Sequence, residues 1–444
     1  MRNFFSLFIV AASLFISGCG VAGKIKKSAW EDVLNTEALK TAHVGISIYE
    51  PAAGKYWFNY QGDKYFVPAS NTKIPTCYAA MKYLGDSLVG LRYSAYENAT
   101  GIKTIYLEPT GDPTFLHPEF LRQSVFSFLK SDTSAHYMVS HDNWKEQSLG
   151  AGWSWNDYAE SYMAERSHFP IYGNVIRFYG KDTGFSVKPS TIHMEYGGEG
   201  DDISPINFKS ALYSFTRKKD QNVFLWDYAK TPFRLLEIPF VTSTSQTIRW
   251  LKDTLGRLRM FLYNEPFAPT NIIHSQPTDS LLRLMMHRSD NFFAEQSLLM
   301  VSNELLGFMN DERIIDTLLK TDFKDLPQKP RWVDGSGLSR YNLFTPQDLV
   351  FILNKMRNEF GMPRIKNILA TGGEGTLSNY YQKEKGFLYA KTGSLSGVVA
   401  LSGFLTTKKG KELIFSVQVN NHNGSATDVR RAVEKFVEGI RKNF

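Results

Sequence analysis

The stretch Ser70-Asn71-Thr72-Lys73 carries a serine and a lysine three positions apart, at the start of a predicted helix. At that spacing the two side chains lie on the same face of a helix, one turn apart. The lysine amine can therefore take the hydroxyl proton, which serine does not lose unaided near neutral pH. Alternating apolar residues at 44–48, a turn at 51–54 and a return strand at 56–60 predict a hairpin that leads the chain to this helix. Because Pro75 cannot donate a hydrogen bond to the Asn71 carbonyl, we expect a distorted first turn.

Two further motifs, Ser289-Asp290-Asn291 and Lys391-Thr392-Gly393, lie more than 200 and then about 100 residues downstream. The first supplies a second serine and an asparagine at a predicted helix start or bend. The second places a cation beside a hydroxyl on a predicted strand. Each motif alone is weak, because such tetrapeptides and tripeptides also occur by chance or as simple caps and turns. In this order and company, the three indicate an acyl-transferring serine hydrolase.

The composition is that of a folded globular protein, with 43% hydrophobic and 21% charged residues in 444. This length predicts two or three domains. The net charge of +7 is compatible with attraction to anionic surfaces, but no basic tract or aromatic-basic repeat indicates nucleic-acid binding. The nine histidines show no H-x-x-x-H or comparable ligand spacing. We therefore expect neither a metal nor another cofactor.

The N-terminus has the pattern of a targeting segment, with Arg2 followed by an apolar run at 4–16 that is too short for a comfortable membrane span. The run ends at Ile16-Ser17-Gly18-Cys19, which resembles a bacterial lipobox. We predict a signal peptide at 1–18, lipidation of Cys19 and a tether at 19–28. The alternative is an ordinary secretory signal with an incidental cysteine. Only Cys77 would remain in the mature chain besides the lipidated residue, so no intramolecular disulfide is expected.

The stretch between the first two motifs carries turns and strand-like segments, at 102–107, 175–179 and 185–188, but no recognisable catalytic constellation. A large insertion into one domain is the economical explanation. We predict a discontinuous catalytic domain at 29–90 and 273–444, with an inserted region at 91–272 that forms two small domains.

With these motifs, the chain resembles the class C low-molecular-mass penicillin-binding proteins of the D-alanyl-D-alanine carboxypeptidase/endopeptidase family. Pieces of the resemblance run from about residue 43 to 420, including Gly111-Asp112-Pro113-Thr114, Gly375-Thr376-Leu377 and the loop from Asp334 to Arg340. The resemblance implies an α+β fold. Its core would be a penicillin-recognising serine transpeptidase (β-lactamase-like) domain, an antiparallel sheet flanked by helices, with inserted smaller domains.

The resemblance implies a role for each catalytic motif residue. Ser70 would attack the carbonyl of the penultimate D-alanine, and Lys73 would be the base, with a pKa lowered by burial and by the charge of Lys391. Ser289 would relay a proton toward the leaving amine between the two lysines. Asn291 would fix Lys73 and the substrate amide.

Substrate-binding roles follow from the same resemblance. Lys391 and Thr392 would hold the terminal carboxylate, and Gly393 would let the substrate backbone approach the strand. The oxyanion hole would be formed by the backbone N–H groups of Ser70 and Ser394. Arg340 and Asp142 match positions that contact the ionic end of the third stem-peptide residue, where a cation and an anion suit a zwitterion.

The implied function is a penicillin-sensitive serine D-alanyl-D-alanine carboxypeptidase/endopeptidase that acts on peptidoglycan stem peptides, with β-lactams as covalent inhibitors. Its place would be the bacterial cell envelope, lipid-anchored to a membrane and facing the periplasm. A β-lactamase is one alternative, although no glutamate that activates a deacylating water is identified and such enzymes usually lack a long insertion. A catalytically silent cell-wall-binding lipoprotein is another, and the intact motif residues argue against it.

Overall fold

The computed structural model describes residue 20 and residues 22–181, 184–197, 213–229, 232–256 and 259–444. The predicted signal peptide at 1–18 and the lipidation site Cys19 lie outside the described residues. The chain divides into two compact units. The first comprises the described residues up to Tyr78 together with Arg283–Ser289 and Leu318–Phe444, and the second comprises the described residues of Ala79–Leu282 and Asp290–Thr317. The domain boundaries predicted from the sequence stay a prediction.

The described chain contains both strands and helices. The strands are β1 His43–Glu50, β2 Lys55–Tyr60, β3 Ser87–Glu97, β4 Lys103–Pro109, β5 His136–Ser140, β6 Val175–Lys181, β7 Gly184–Lys188, β8 His193–Tyr196, β9 Tyr213–Arg217, β10 Val223–Tyr228, β11 Leu235–Pro239, β12 Arg259–Tyr263, β13 Asn271–Pro277, β14 Ala370–Thr371, β15 Leu388–Leu395, β16 Val398–Thr406 and β17 Glu412–Asn420. The longer helices are α1 Lys73–Tyr83, α2 Ser124–Ser131, α3 Thr244–Leu255, α4 Thr278–Arg288, α5 Asn291–Leu306, α6 Asp311–Lys320, α7 Pro346–Ile368 and α8 Ala426–Asn443. None of the helices in the described ranges is long and apolar enough to cross a bilayer.

The first unit contains a six-stranded antiparallel sheet of order β14-β15-β16-β17-β1-β2. The N-terminal hairpin thus pairs with β17, and its two strands are those predicted from the sequence. The apolar side of α8, which includes Val429, Val433 and Phe436, is buried in the same hydrophobic cluster as the sheet. Each such side chain contributes roughly 1.5–3 kcal/mol to the free energy of unfolding.

The segment at 22–29 differs from the tether expected there. It is helical, and Ile25 and Ala29 are buried in the same cluster as the sheet residues and α8. This part of the predicted tether is therefore packed on the first unit, because its apolar positions recur at helical spacing.

The second unit contains a five-stranded sheet of order β12-β5-β4-β3-β13 and two three-stranded sheets, β11-β6-β7 and β8-β10-β9. In the five-stranded sheet, β5 runs parallel to both β4 and β12, whereas the other pairs are antiparallel. Phe178 of β6 stacks on Phe215 of β9 with ring centroids 4.1 Å apart, so the small sheets share one aromatic core. The strand-like segments predicted near 102–107, 175–179 and 185–188 correspond to β4, β6 and β7.

Candidate active site

The turn that carries Ser70, the predicted nucleophile, is a short 3-10 helix, Ala69–Thr72, that passes into α1 at Lys73 and is called the nucleophile turn below. The distortion predicted from Pro75 is therefore present, because the turn before the proline is not α-helical. Ala69 adopts a left-handed backbone with φ 46°. Gly337 packs against its carbonyl so closely that a Cβ on residue 337 would lie 1.9 Å from that oxygen. Backbone atoms thus hold the turn that presents Ser70.

The amine of Lys73 lies beside the Ser70 hydroxyl, with Nζ 3.0 Å from Oγ. Lys73 is fully buried, and its Nζ also donates to the carbonyl of Ser336 at 2.7 Å. The spacing of three residues therefore places the serine and the lysine in hydrogen-bonding contact, as the sequence predicted. A proton can move directly from Oγ to Nζ across this distance.

Lys391 and Ser289 form a second lysine–serine pair. Nζ of Lys391 donates to Oγ of Ser289 at 2.8 Å and to the Thr392 carbonyl at 2.7 Å. Ser289 lies between α4 and α5 with a left-handed φ of 60°, and Asp290 caps α5 through the amide of Phe293. The predicted helix start at this motif is thus confirmed.

The electrostatics of the site follow from placing two lysines in a buried environment. Lys391 is fully buried, and burial holds its pKa well below the usual value, with the charge of Lys73 acting in the same direction. The protein interior therefore favours a state in which the two amines do not both carry a proton. Such a site can accept the proton of a nucleophilic hydroxyl near neutral pH.

Strand β15 places the third motif next to Ser70. It pairs with β16 along its whole length but with β14 only at Tyr389 and Ala390. Among the described strands, residues 391–395 therefore have a neighbour on one side only. A Cβ on Gly393 would lie 2.7 Å from the Pro68 carbonyl and 3.1 Å from the Ser70 amide nitrogen. Only glycine allows this backbone approach, and the open edge can accept a peptide as an added strand.

A buried polar network that sequence reasoning missed joins the nucleophile turn to the sheet. Nδ2 of Asn71 donates to the Lys391 carbonyl at 2.9 Å, and Nε2 of Gln418 donates to Oδ1 of Asn71 at 3.3 Å. Gln418 also donates to the hydroxyls of Ser402 and Ser416. The signal was present in β17, where Ser416 and Gln418 alternate with apolar residues that face the core.

Two further contacts beside β15 were also not predicted. The Thr392 and Thr376 hydroxyls are 2.8 Å apart, and Nη2 of Arg430 donates to Oγ of Ser394 at 2.9 Å. Thr376 belongs to the Gly-Thr-Leu segment noted in the sequence, so its motif was visible although its partner was not. Nothing in the local sequence distinguishes Arg430 from other helix arginines.

The remaining predicted residues fall in different places. Asn291 is the first residue of α5 in the second unit, and its Nδ2 donates to the Tyr162 carbonyl at 2.9 Å. Arg340 is exposed and donates to the Ser396 carbonyl at 3.1 Å in the first unit. Asp142 is exposed in the second unit. The structure thus brings together Ser70, Lys73, Ser289 and Lys391, and the roles expected for Asn291, Arg340 and Asp142 stay predictions.

This fold and this arrangement match a known family. The model of the D-Ala-D-Ala carboxypeptidase 3 (S13) family matches residues 27–192 and 264–440. The chain is 26% identical over 453 residues to a D-alanyl-D-alanine carboxypeptidase of an Actinomadura species, covering 89% of this chain and 80% of that protein. It is 33% identical over 161 residues to carboxypeptidase DacB of Mycolicibacterium smegmatis, covering 34% of this chain and 35% of that protein.

The solved structures include a similar fold, penicillin binding protein 4 from Haemophilus influenzae. It superposes with a TM-score of 0.72 at 18% identity, covering 94% of this chain and 98% of that one. The chain belongs to the D-Ala-D-Ala carboxypeptidase 3 (S13) family. The family and the α+β penicillin-recognising fold implied by the sequence resemblance are therefore confirmed.

Proposed function

We propose that this chain is a penicillin-sensitive serine D-alanyl-D-alanine carboxypeptidase that also cleaves D,D-cross-links in peptidoglycan. The observation that carries the proposal is the 3.0 Å contact between Oγ of Ser70 and the buried Nζ of Lys73. Family membership supports the reaction class. Acting on cross-links as well as on terminal residues is chemically consistent, because both substrates present a peptide bond between two D-centres.

Acylation begins with Ser70. Its hydroxyl proton passes to Lys73 as Oγ forms a bond to the carbonyl carbon of the penultimate D-alanine. The carbonyl oxygen becomes an oxyanion, which the amides of Ser70 and Ser394 stabilise. The closeness of the Gly393 backbone to the Ser70 amide nitrogen supports this pairing of donors. Losing one such donor typically costs about 3 kcal/mol of barrier stabilisation.

Collapse of the tetrahedral intermediate requires a proton on the leaving nitrogen. Ser289 delivers it, and the 2.8 Å contact with Lys391 lets the serine hydroxyl be reprotonated at once. The C–N bond breaks, the D-residue leaves as an amine, and the peptide remains as an ester on Ser70. The proton held by Lys73 passes through Ser289 to Lys391, which restores the neutral amine of Lys73. Water then attacks the acyl carbon and gives its proton to Lys73. Lys73 passes this proton to Oγ of Ser70 as the ester bond breaks, so the peptide leaves as a carboxylic acid and Ser70 regains its hydroxyl.

Thr392 and the open edge of β15 bind the substrate in this scheme. The peptide lies antiparallel to residues 391–395, where the described strands leave one side unpaired. Asn291 holds the substrate amide, and Arg340 with Asp142 bind the ionic end of the third residue. The roles of these three residues rest on the sequence resemblance.

The location proposed for the enzyme is the bacterial cell envelope. The apolar run at 4–16 and the lipobox-like Ile16-Ser17-Gly18-Cys19 support secretion and a lipid anchor on Cys19, with the enzyme facing the periplasm. Globomycin treatment of the native host and mass analysis of the N-terminus test this. A mature N-terminus without a diacylglyceryl cysteine contradicts the anchor.

Muropeptide digestion tests the activity. Purified pentapeptide monomers and cross-linked dimers are incubated with the wild type, with Ser70→Ala, and with Ser396→Ala as a matched serine control on an exposed turn. We expect the wild type and the control to remove one alanine and to split dimers, and Ser70→Ala to do neither. Unchanged muropeptides with all three proteins contradict the assignment.

A penicillin-binding assay separates this function from a β-lactamase and from a silent scaffold. We expect labelled penicillin to form an adduct of stoichiometry one on Ser70 that lasts through gel analysis, with little nitrocefin turnover. Rapid nitrocefin turnover favours a β-lactamase. Absence of an adduct by intact mass favours the silent cell-wall-binding protein.

A further inference from the structure

Arg430 is a cation beside the candidate active site that the mechanism above does not use. It is the fifth residue of α8, half-buried, and its Nη2 donates to the Ser394 hydroxyl at 2.9 Å. In the part of the chain that the structure describes, no ion pair joins Arg430 to a carboxylate. The neighbouring Arg431, by contrast, is paired with Glu434.

The guanidinium of Arg430 lies on the same side of β15 as the Thr392 hydroxyl. Thr392 and Ser394 are two positions apart on one strand, so their side chains point to the same face about 7 Å apart. Arg430, Thr392 and Thr376 line one small pocket of about 30 Å³, next to Gly393. That volume holds a water or two, or one carboxylate group.

A fixed positive charge is needed at this position if the substrate carries a carboxylate there. Lys391 is poorly suited to supply it, because its amine is occupied by Ser289 and the Thr392 carbonyl. Burial and the charge of Lys73 also lower the pKa of Lys391 well below its usual value. An arginine remains charged at every pH at which the protein is folded and can hold a carboxylate with two parallel hydrogen bonds.

We propose that Arg430 is the specificity-determining residue that binds the carboxylate on the leaving D-residue, together with the hydroxyl of Thr392. The inference rests on the function proposed above. A peptide bond between two D-centres releases a residue whose α-carboxylate lies one carbon from the scissile nitrogen. This holds for terminal D-alanine and for the D-centre of a cross-linked diamino acid. Lys391 can then transfer protons, because Arg430 supplies the permanent positive charge that binds the carboxylate.

Paired substrates test the assignment. The peptides are N-acyl-L-Lys-D-Ala-D-Ala with a free carboxylate and the same peptide with a C-terminal carboxamide. Four proteins are compared: the wild type, two variants of Arg430 and the matched control Arg431→Ala. Arg430→Gln removes the charge but keeps a hydrogen-bond donor for Ser394. Arg430→Lys keeps the charge. The readout is kcat/KM for each peptide, with Tm to verify folding.

We expect Arg430→Gln to lower kcat/KM for the acid peptide by about 10- to 100-fold and to leave the amide peptide within about twofold. Arg430→Lys should recover part of the loss, and Arg431→Ala should retain the wild-type preference for the acid. An equal fall on both peptides, or no fall on either, overturns this inference alone. If the wild type cleaves neither peptide, the proposed function fails and this inference fails with it.

Discussion

Nζ of Lys391 lies 2.8 Å from Oγ of Ser289, although the two residues are 102 positions apart in the chain. The contact joins a strand residue to a hydroxyl that a left-handed backbone, φ 60°, turns out from the junction of α4 and α5. Lys73 and Ser70 form a second pair of the same kind. One serine in the site can therefore act as nucleophile while the other carries protons.

Replacing Ser289 should separate these two roles. We expect Ser289→Ala to lower kcat/KM for peptide substrates by about 10²- to 10⁴-fold, because the leaving amine loses its proton donor. Stopped-flow acylation with a chromogenic thioester, whose leaving group needs no proton, should fall much less. The control is Ser396→Ala. Equal losses on peptide and thioester would contradict a proton-relay role.

Replacing Lys73 by arginine should remove the base while keeping the charge. Because a guanidinium is not deprotonated in a protein, we expect Lys73→Arg to acylate about 10²- to 10⁴-fold more slowly than the wild type. The rate of covalent labelling by penicillin, followed by intact mass, measures this. Lys64→Arg, an exposed lysine near the hairpin, serves as control. Wild-type labelling of Lys73→Arg would exclude lysine as the base.

Adding a methyl group at Gly393 should displace the nucleophile turn. The new Cβ would lie 2.7 Å from the Pro68 carbonyl, a distance that real Cβ atoms do not keep. We expect Gly393→Ala to lose most acylation while remaining folded at lower Tm. Gly439→Ala in α8 is the matched control, since it meets only ordinary contacts and should stabilise the helix by about 0.5–1 kcal/mol. Normal acylation by Gly393→Ala would show that the turn can move.

The second unit should lose stability as the pH rises. Glu146, Glu295 and Asp311 all pair with Arg166 in a buried cluster. Burial raises the pKa of Glu146 from 4.5 to about 7. The carboxylate of Asp311 also raises this pKa, whereas the charge of Arg166 lowers it. The folded state then holds a proton that the unfolded state releases. Its stabilising contribution is complete below pH 4.5 and is lost as the pH rises to about 7.

Urea unfolding of Glu146→Gln against the wild type isolates this effect. Other groups titrate in the same range, including His168, whose pKa burial lowers from 6.5 to about 4, but they are common to both proteins. We expect the free energy of unfolding of the variant minus that of the wild type to increase from pH 5 to pH 8. Glu160→Gln on the exposed side of the unit is the control. A difference independent of pH would contradict the raised pKa.

The sequence predicted those parts of the site that depend on local geometry. The serine–lysine spacing, the distortion before Pro75 and the helix start at Asp290 each follow from a few consecutive residues. The N-terminal hairpin follows from the alternating residues of its first strand and the turn after it.

What the sequence did not reveal depends on tertiary packing. The Ser336 carbonyl that holds Lys73 is a backbone atom, and every residue offers one. Arg430 reaches Ser394 only because α8 packs on the sheet, so its role has no local signature. The helix at 22–29 was not predicted because the basic and small residues of this segment are typical of an exposed tether, whereas Ile25 and Ala29 are buried.

The contact between Gly337 and the Ala69 carbonyl has a consequence for drug escape. With φ 85° and no room for even a methyl group, residue 337 clamps the nucleophile turn from behind. A mutation that moves Ser70 away from a covalent antibiotic would also have to move Gly337 and the turn at Ala69. The same movement would displace Ser70 from its native substrate, so activity would be lost together with sensitivity to the drug. Resistance mutations should therefore occur at side chains that contact the drug, and not at Gly337 or in the turn that carries Ser70.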